Sequence, residues 1–195
     1  MSRSLLAAGL VLVVGAVAVW WWRERETTLD AVQSAVRARY PEVTVVSTGE
    51  LAEALSDPTR APFLLDARER EEFAVSHLPG ARRIDPDASA PELRAALAEV
   101  SVGREIVVYC SVGYRSAGVA ERLREAGFES VANLEGSIFR WANEGRPLVR
   151  GDGEPTDVVH PYSPMWGRLL HPARRARLAD PPRGAEEGDH APRER

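Results

Sequence analysis

The sequence has no lysine and a single cysteine, Cys110, in 195 residues. One cysteine excludes an internal disulfide and any cysteine cluster around a metal ion. It leaves the redox compartment open, and the surroundings of the thiol must decide whether it is inert packing or a reactive centre. All 25 basic residues are therefore arginine, against 29 acidic ones. With the abundant alanine, this points to a GC-rich coding sequence more than to a mechanism. There is no basic stripe of the kind that follows a nucleic-acid backbone, so no nucleic-acid partner is expected. Internal repeats are absent. His160 and His171 each precede a proline, and two isolated histidines do not make a metal site. Neither a metal nor a cofactor is expected.

What is present begins with an apolar run. Leu5 to Trp22 is uncharged, bounded by Arg3 and by Arg23-Glu24-Arg25-Glu26. As a helix it would span about 27 Å, close to the roughly 30 Å hydrocarbon core of a bilayer. Ala16-Val17-Ala18 fits the cleavage site of a secretory signal, which would make the protein secreted or periplasmic. Trp20, Trp21 and Trp22 follow directly, and a tryptophan cluster suits a membrane interface. Residues 1–26 are therefore expected to be an uncleaved single-pass transmembrane anchor. The flanking arginines favour a cytoplasmic domain, although the short N-terminal tail leaves the side open.

Residues 27–42 read as a helical linker, with Leu29, Val32, Val36 and Tyr40 at helical spacing and Pro41 as the stop. Short β-rich runs then alternate with amphipathic stretches. Strands are expected at Val43–Val46, Phe63–Leu65, Ala81–Ile84, Ile106–Tyr109 and Val131–Leu134. Helices are expected over 49–55, 69–75, 91–99, 116–126 and 137–144. This alternation indicates an α/β domain over 43–150, with a mostly parallel five-stranded sheet flanked by helices. After Arg150 the pattern stops. Residues 151–195 read as a C-terminal extension: Trp166, Leu169 and Leu170 could form a short helix packing back on the domain, and 180–195 is proline and charge, expected to be disordered.

Cys110 ends the strand Ile106-Val107-Val108-Tyr109, and Ser111-Val112-Gly113-Tyr114-Arg115 leads into a helix for which Ser116 is the expected N-cap. Backbone N–H groups of a tight loop form an anion-binding nest, and a helix N-terminus adds partial positive charge. Both effects, with Arg115 nearby, favour an anionic sulfur. Gly113 permits the backbone turn that a curled loop needs. A small buried cysteine capping a strand is the plainer alternative.

At this point the sequence resembles the rhodanese homology family. Cys110-Ser111-Val112-Gly113-Tyr114-Arg115-Ser116 is similar to its C-x-x-G-x-R-S loop, and Asp66-Ala67-Arg68 with Glu72-Phe73 resembles its D-x-R…E-F signature. His77-Leu78-Pro79-Gly80-Ala81 matches its H-[IL]-P-G-A turn. Asn133-Leu134-Glu135-Gly136-Ser137, followed by Trp141 and Gly145-Arg146-Pro147, resembles its ending, with Ser137 where a second glycine is usual. A local backbone adjustment is expected there. The four blocks keep the family's order and spacing over about 43–150.

The resemblance implies a sulfurtransferase. Cys110 would be the nucleophile and persulfide carrier, taking sulfane sulfur from thiosulfate or a persulfide and passing it to cyanide, a small thiol or a protein thiol. The loop from Ser111 to Ser116 would bind substrate, its backbone N–H groups cradling the outer sulfur and Arg115 helping to hold an anionic donor. Related phosphatases and arsenate reductases use a loop one residue longer, and no aspartate stands out as the general acid they would need. A membrane-tethered binding or sulfur-relay module is the alternative function. Asp66 and Arg68 are expected to support the site structurally, Asp66 satisfying loop N–H groups and Arg68 pairing with Glu71 or Glu72. His77 is expected to fix its turn. Tyr114 is expected to be exposed, and Trp141 to be core.

Overall fold

The computed structural model describes residues 28–151 and 153–177. Among these no helix is long and apolar enough to cross a membrane. The apolar segment expected as an anchor, Leu5–Trp22, lies outside the described residues, as does the charged tail beyond 177.

Alternation along the central strands explains the layering. Strands β1 (Thr44–Val46), β2 (Phe63–Asp66), β3 (Arg82–Arg83), β4 (Ile106–Tyr109) and β5 (Val131–Leu134) form one sheet in the order β1-β5-β4-β2-β3. Every pairing in it is parallel. In β4 all four residues are buried, as a parallel strand covered on both faces requires. Val107 and Tyr109 point into one core with Leu64, while Ile106, Val108 and Leu65 point into the other. The first core is covered by α1 (28–39), α2 (Thr48–Ser56) and α6 (Ser137–Asn143), the second by α4 (Ala90–Ala96) and α5 (Tyr114–Glu125). A short α3 (Arg70–Val75) follows β2.

Helix starts follow local chemistry. Ser47 with Glu50, and Ser89 with Glu92, form capping boxes at α2 and α4. These side chains satisfy backbone donors that a first turn leaves without intrahelical partners.

Both flanking segments pack into the domain. From α1, Leu29 is fully buried and joins the first core. After β5 and α6 the chain continues into an antiparallel pair, β6 (Leu148–Arg150) with β7 (Glu154–Thr156), where the residue pattern carried no strand expectation. Beyond it two 3₁₀ turns (Trp166–Leu169 and Pro172–Arg174) stand in place of the single short helix. Val159, Leu169 and Leu170 nevertheless enter the first core. Pro161, Pro164 and Pro172 lack the amide donors a longer helix needs, so side-chain burial holds this stretch in place of a regular ladder.

Candidate functional site

The central strand β4 delivers Cys110 to the carboxyl edge of the sheet, where open parallel sheets leave a crevice for ligands. The segment from Cys110 to Gly113 then curls with all four of its carbonyls engaged. Cys110 O and Ser111 O accept from the amides of Ile138 and Phe139 in the first turn of α6, both at 3.1 Å. Val112 O accepts from Gln33 Nε2 at 2.6 Å, and Gly113 O from Asn133 Nδ2 at 3.0 Å. With carbonyls drawn outward, the Gly113 N–H donates to Cys110 Sγ at 3.1 Å. Among the described residues, the amides of Ser111 and Val112 donate to no protein acceptor.

Gly113 lies at φ +100°, a left-handed conformation that a side chain would strain. A Cβ there would also sit 3.2 Å from Gln33 Oε1. Helix α5 starts at Tyr114 with Gly113 as its N-cap, one turn earlier than a Ser116 cap would place it. Ser116 is fully buried, and its hydroxyl donates to Asn133 Oδ1 at 2.7 Å. It holds the amide that holds the loop, and Ser116 is not among the residues that line the cavity at Cys110.

Arg115 does not stand free to receive an anion. Its two terminal nitrogens donate to the two Glu72 oxygens at 2.8 and 2.9 Å, a bidentate pair. Glu72, 2% exposed, also accepts from Ser111 Oγ at 2.8 Å and from the Glu69 amide at 3.1 Å. Burial pushes the Glu72 carboxyl upward, but Arg115, Ser111 and the Glu69 amide together bring it below the ordinary glutamate value. Burial likewise opposes the Arg115 charge, and Glu72, together with Cys110 and Tyr162, more than restores it.

A pH dependence follows. Because the folded value of Glu72 lies below the unfolded one, its stabilisation is complete above about 4.5, the ordinary value, and is lost as pH falls through the folded value. Glu72→Gln is expected to unfold in urea with a stability deficit of about 1–3 kcal/mol at pH 6. That deficit should shrink as the pH is lowered towards 3. A deficit independent of pH would mean that the ionised carboxylate is not the stabilising species.

The other anticipated residues sit one strand away. Asp66 pairs with Tyr109 across the sheet, next to Cys110, and both Asp66 and Arg68 are wholly inaccessible. Arg68 does not reach Glu71 or Glu72. It donates to Asp66 at 2.9, 3.1 and 2.6 Å and to Ser76 O at 2.6 Å. Asp66 also accepts the Arg68 amide at 3.1 Å, the loop-satisfying contact expected of it. Burial and the Asp66 charge push the Tyr109 hydroxyl well upward, and its oxygen accepts from the Leu78 amide at 3.0 Å. The His77 ring stacks on Phe73 at 4.0 Å, with Nδ1 3.2 Å from Phe73 O, and its backbone pairs with Val149. It lies at the turn and is not among the residues lining the cavity with Cys110. Trp141 is core, and Tyr114 is 51% exposed.

Ser137 keeps a glycine-like backbone, φ +51°, where a second glycine is usual. Its hydroxyl accepts from the Cys110 amide and donates to Leu134 O, both at 3.2 Å. The departure from the pattern thus adds a bond to the cysteine's own backbone. Gln33 and Glu72 were also missed as loop supports. Gln33 had a signal, since it interrupts the apolar stripe of Leu29 and Val36 and a polar residue there must find a buried partner.

Cys110 lines a cavity of about 410 Å³. The loop supplies one wall, with Val112, Tyr114 and Arg115. Residues Val32 and Ala35 of α1 and Tyr162 and Trp166 of the C-terminal segment supply the others. Among the described residues no group of three or more His, Cys, Asp or Glu could hold a metal ion.

Residues 47–144 match the family model described as "Rhodanese-like domain". The chain is 32% identical over 111 residues to a protein of Allochromatium vinosum named "Sulfurtransferase", covering 57% of this chain and 99% of that one. It is 34% identical over 109 residues to the tRNA uridine(34) hydroxylase of Staphylococcus carnosus, covering 55% of this chain but 33% of that enzyme. A further relative, from Synechocystis, is matched over 59% of its length. Among solved structures, a rhodanese-like domain protein from Staphylococcus aureus aligns over 56% of this chain and all of its own, at 27% identity and a TM-score of 0.48.

Proposed function

We propose that this chain, which belongs to the rhodanese-like domain family, moves sulfane sulfur through a persulfide on Cys110. The donor would be thiosulfate or a persulfide, and the acceptor cyanide, a small thiol or a protein thiol. One observation carries the reading: the only cysteine, itself 1% exposed, turns its sulfur to the Gly113 N–H at 3.1 Å and lines the cavity. An inert strand cap would have neither feature.

In this reading the Cys110 thiolate attacks the outer sulfur of the donor. The donor's S–S bond breaks, and its electron pair leaves on sulfite or on a thiolate. The terminal sulfur now on Cys110 is anionic, and the Gly113 amide, with those of Ser111 and Val112, supplies N–H groups to stabilise it. Four engaged carbonyls keep these amides oriented before sulfur arrives, so little reorganisation is needed at the moment of transfer. Arg115, paired with Glu72, acts as a positioning residue that braces the loop through Ser111. With one cysteine the persulfide has no internal resolving partner, so its sulfur leaves to another molecule.

The test is the intact mass of the full chain after treatment with thiosulfate or a hydropolysulfide. A gain of one sulfur atom on Cys110, reversed by cyanide, is expected. A chain that takes up no sulfur from either donor would overturn the proposal.

The apolar run Leu5–Trp22 supports a second element, a membrane anchor that holds this domain at the bilayer, with its arginine flanks favouring the cytoplasmic face. The full chain is then expected to stay in the membrane pellet after alkaline carbonate extraction, and a chain starting at residue 27 to be released. Release of the intact full chain would remove this element.

A further inference from the structure

We propose that the cavity over Cys110 takes the apolar body of a small organic thiol, and equally that of the same thiol's persulfide, in preference to a small inorganic sulfur anion. This rests on the sulfur-transfer reading above and names the class of molecule that exchanges sulfur with Cys110.

The cavity's make-up is the first observation. At about 410 Å³ it falls in the size range of small-molecule sites. Four of its lining residues, Val32 and Ala35 of α1 and Tyr162 and Trp166 of the C-terminal segment, come from outside the matched residues 47–144. Together with Val112 and Tyr114 of the loop they make the lining mostly aliphatic and aromatic. An apolar group entering it leaves water at a gain of about 25 cal/mol per Å².

Charge is the second. Arg115 is the one cation among the described lining residues, and Glu72 holds it with both oxygens. The Glu69 carboxylate lies 3.8 Å from the same guanidinium, and the Tyr162 ring covers it at 4.9 Å. Any anion that meets Arg115 shares the guanidinium with the buried Glu72 carboxylate, whose negative charge already answers it and opposes a second anion beside it.

The aromatic wall is also built in. Asn143 grips both sides of the C-terminal turn, donating to Leu169 O at 2.7 Å and accepting from the His171 amide at 2.8 Å. Gly167 packs so tightly that a Cβ would lie 2.8 Å from Pro161 Cβ. Tyr162 itself sits at φ +63°, a conformation costly for a residue with a side chain. Its ring is thereby set over Arg115 at the cavity mouth.

In the acceptor half-reaction the incoming thiol R–SH gives its proton to the anionic terminal sulfur of the Cys110 persulfide, and the resulting thiolate R–S⁻ attacks the outer sulfur of Cys110–S–SH. A bond from the R–S sulfur to that sulfur forms, and the bond to Cys110 Sγ breaks. Its electron pair stays on Sγ as thiolate, and R–S–SH leaves with the proton. One sulfur atom moves with no external oxidant or reductant, and the reverse step loads Cys110.

The full chain, loaded with sulfur and checked by intact mass, is discharged by phenylmethanethiol or by 2-hydroxyethanethiol, thiols of similar acidity. The second-order discharge constant is expected to favour the aromatic thiol by about tenfold or more. Trp166→Ala, which removes one wall, should reduce that preference to within about threefold. Ala35→Phe, which fills the cavity from α1, should do the same and does not depend on the C-terminal segment keeping its fold. A ratio near one in the parent chain, or an undiminished ratio in both variants, overturns the inference while normal loading leaves the sulfur-transfer reading standing. Failure to load at all overturns that reading, and this inference with it.

Discussion

Cys110→Ser is expected to abolish sulfur loading and to lower thiosulfate:cyanide transfer by at least about 10³-fold, the equivalent of roughly 4 kcal/mol of activation free energy. Serine is close to cysteine in size, so the buried loop should keep its carbonyl bonds to α6, Gln33 and Asn133. What is lost is the nucleophile. A hydroxyl is a weak nucleophile unless a base activates it, and His77 is committed to the Phe73 turn. The oxygen cannot carry sulfane sulfur as a persulfide does. The measurement pairs intact mass with the steady-state rate, and a thermal melt checks that the variant is folded. A folded variant that still transfers sulfur at a tenth of the parent rate would show that the chemistry occurs elsewhere.

Asp66→Ala should produce the largest loss of stability, about 3–5 kcal/mol. Arg68 is completely buried, its charge is balanced by Asp66, and one terminal nitrogen has no hydrogen-bond partner. Burial works against the Arg68 charge, and Asp66 holds it on. Removing the carboxylate leaves a cation in the core with only the Ser76 carbonyl as hydrogen-bond acceptor, the Tyr109 ring 5.9 Å away and the more distant Glu72 charge. Replacing both residues, as Asp66→Leu with Arg68→Met, should recover much of the loss because no charge is then stranded. Urea unfolding of the two variants reads the difference. A cost below about 1 kcal/mol for the single change would place the pair with ordinary surface ion pairs and sink this account. Activity should fall too, since the Ala67 amide, just beyond Asp66, bonds Tyr109 O beside Cys110 at 2.8 Å.

These expectations differ in how far the residue string reveals them. The strands and helices were legible because each is a local pattern. Leu64 and Leu65 alternate across β2, Val107 and Val108 across β4, and Pro41 lies just beyond the first helix. The loop was legible because strand, cysteine, glycine and helix are contiguous. The charge partners were not. Arg68 had Asp66, Glu71 and Glu72 within four positions, and sequence distance does not say which carboxylate shares its buried space. Glu72 instead meets Arg115, 43 positions away, because α3 and the loop converge at the carboxyl edge of the sheet. Ser116 looked like a cap since serine favours that place, yet Gly113 in a left-handed conformation starts the helix earlier.

The cavity shows the same division. Parallel strands, crossover helices and a lone cysteine at the end of the central strand follow from hydrophobic period and turn chemistry, which act between near neighbours. The walls over that cysteine depend on two segments from opposite ends of the domain. Val32 and Trp166 both line the cavity because α1 and the C-terminal turns bury Leu29, Leu169 and Leu170 in one core. Burial is non-directional and indifferent to chain separation, so it leaves little pattern for a local reading to find. By itself the sequence determined that Cys110 ends a central strand and leads into an anion-binding loop. Only the tertiary structure decided that Arg115 is already matched by Glu72, and that the space above the sulfur is apolar.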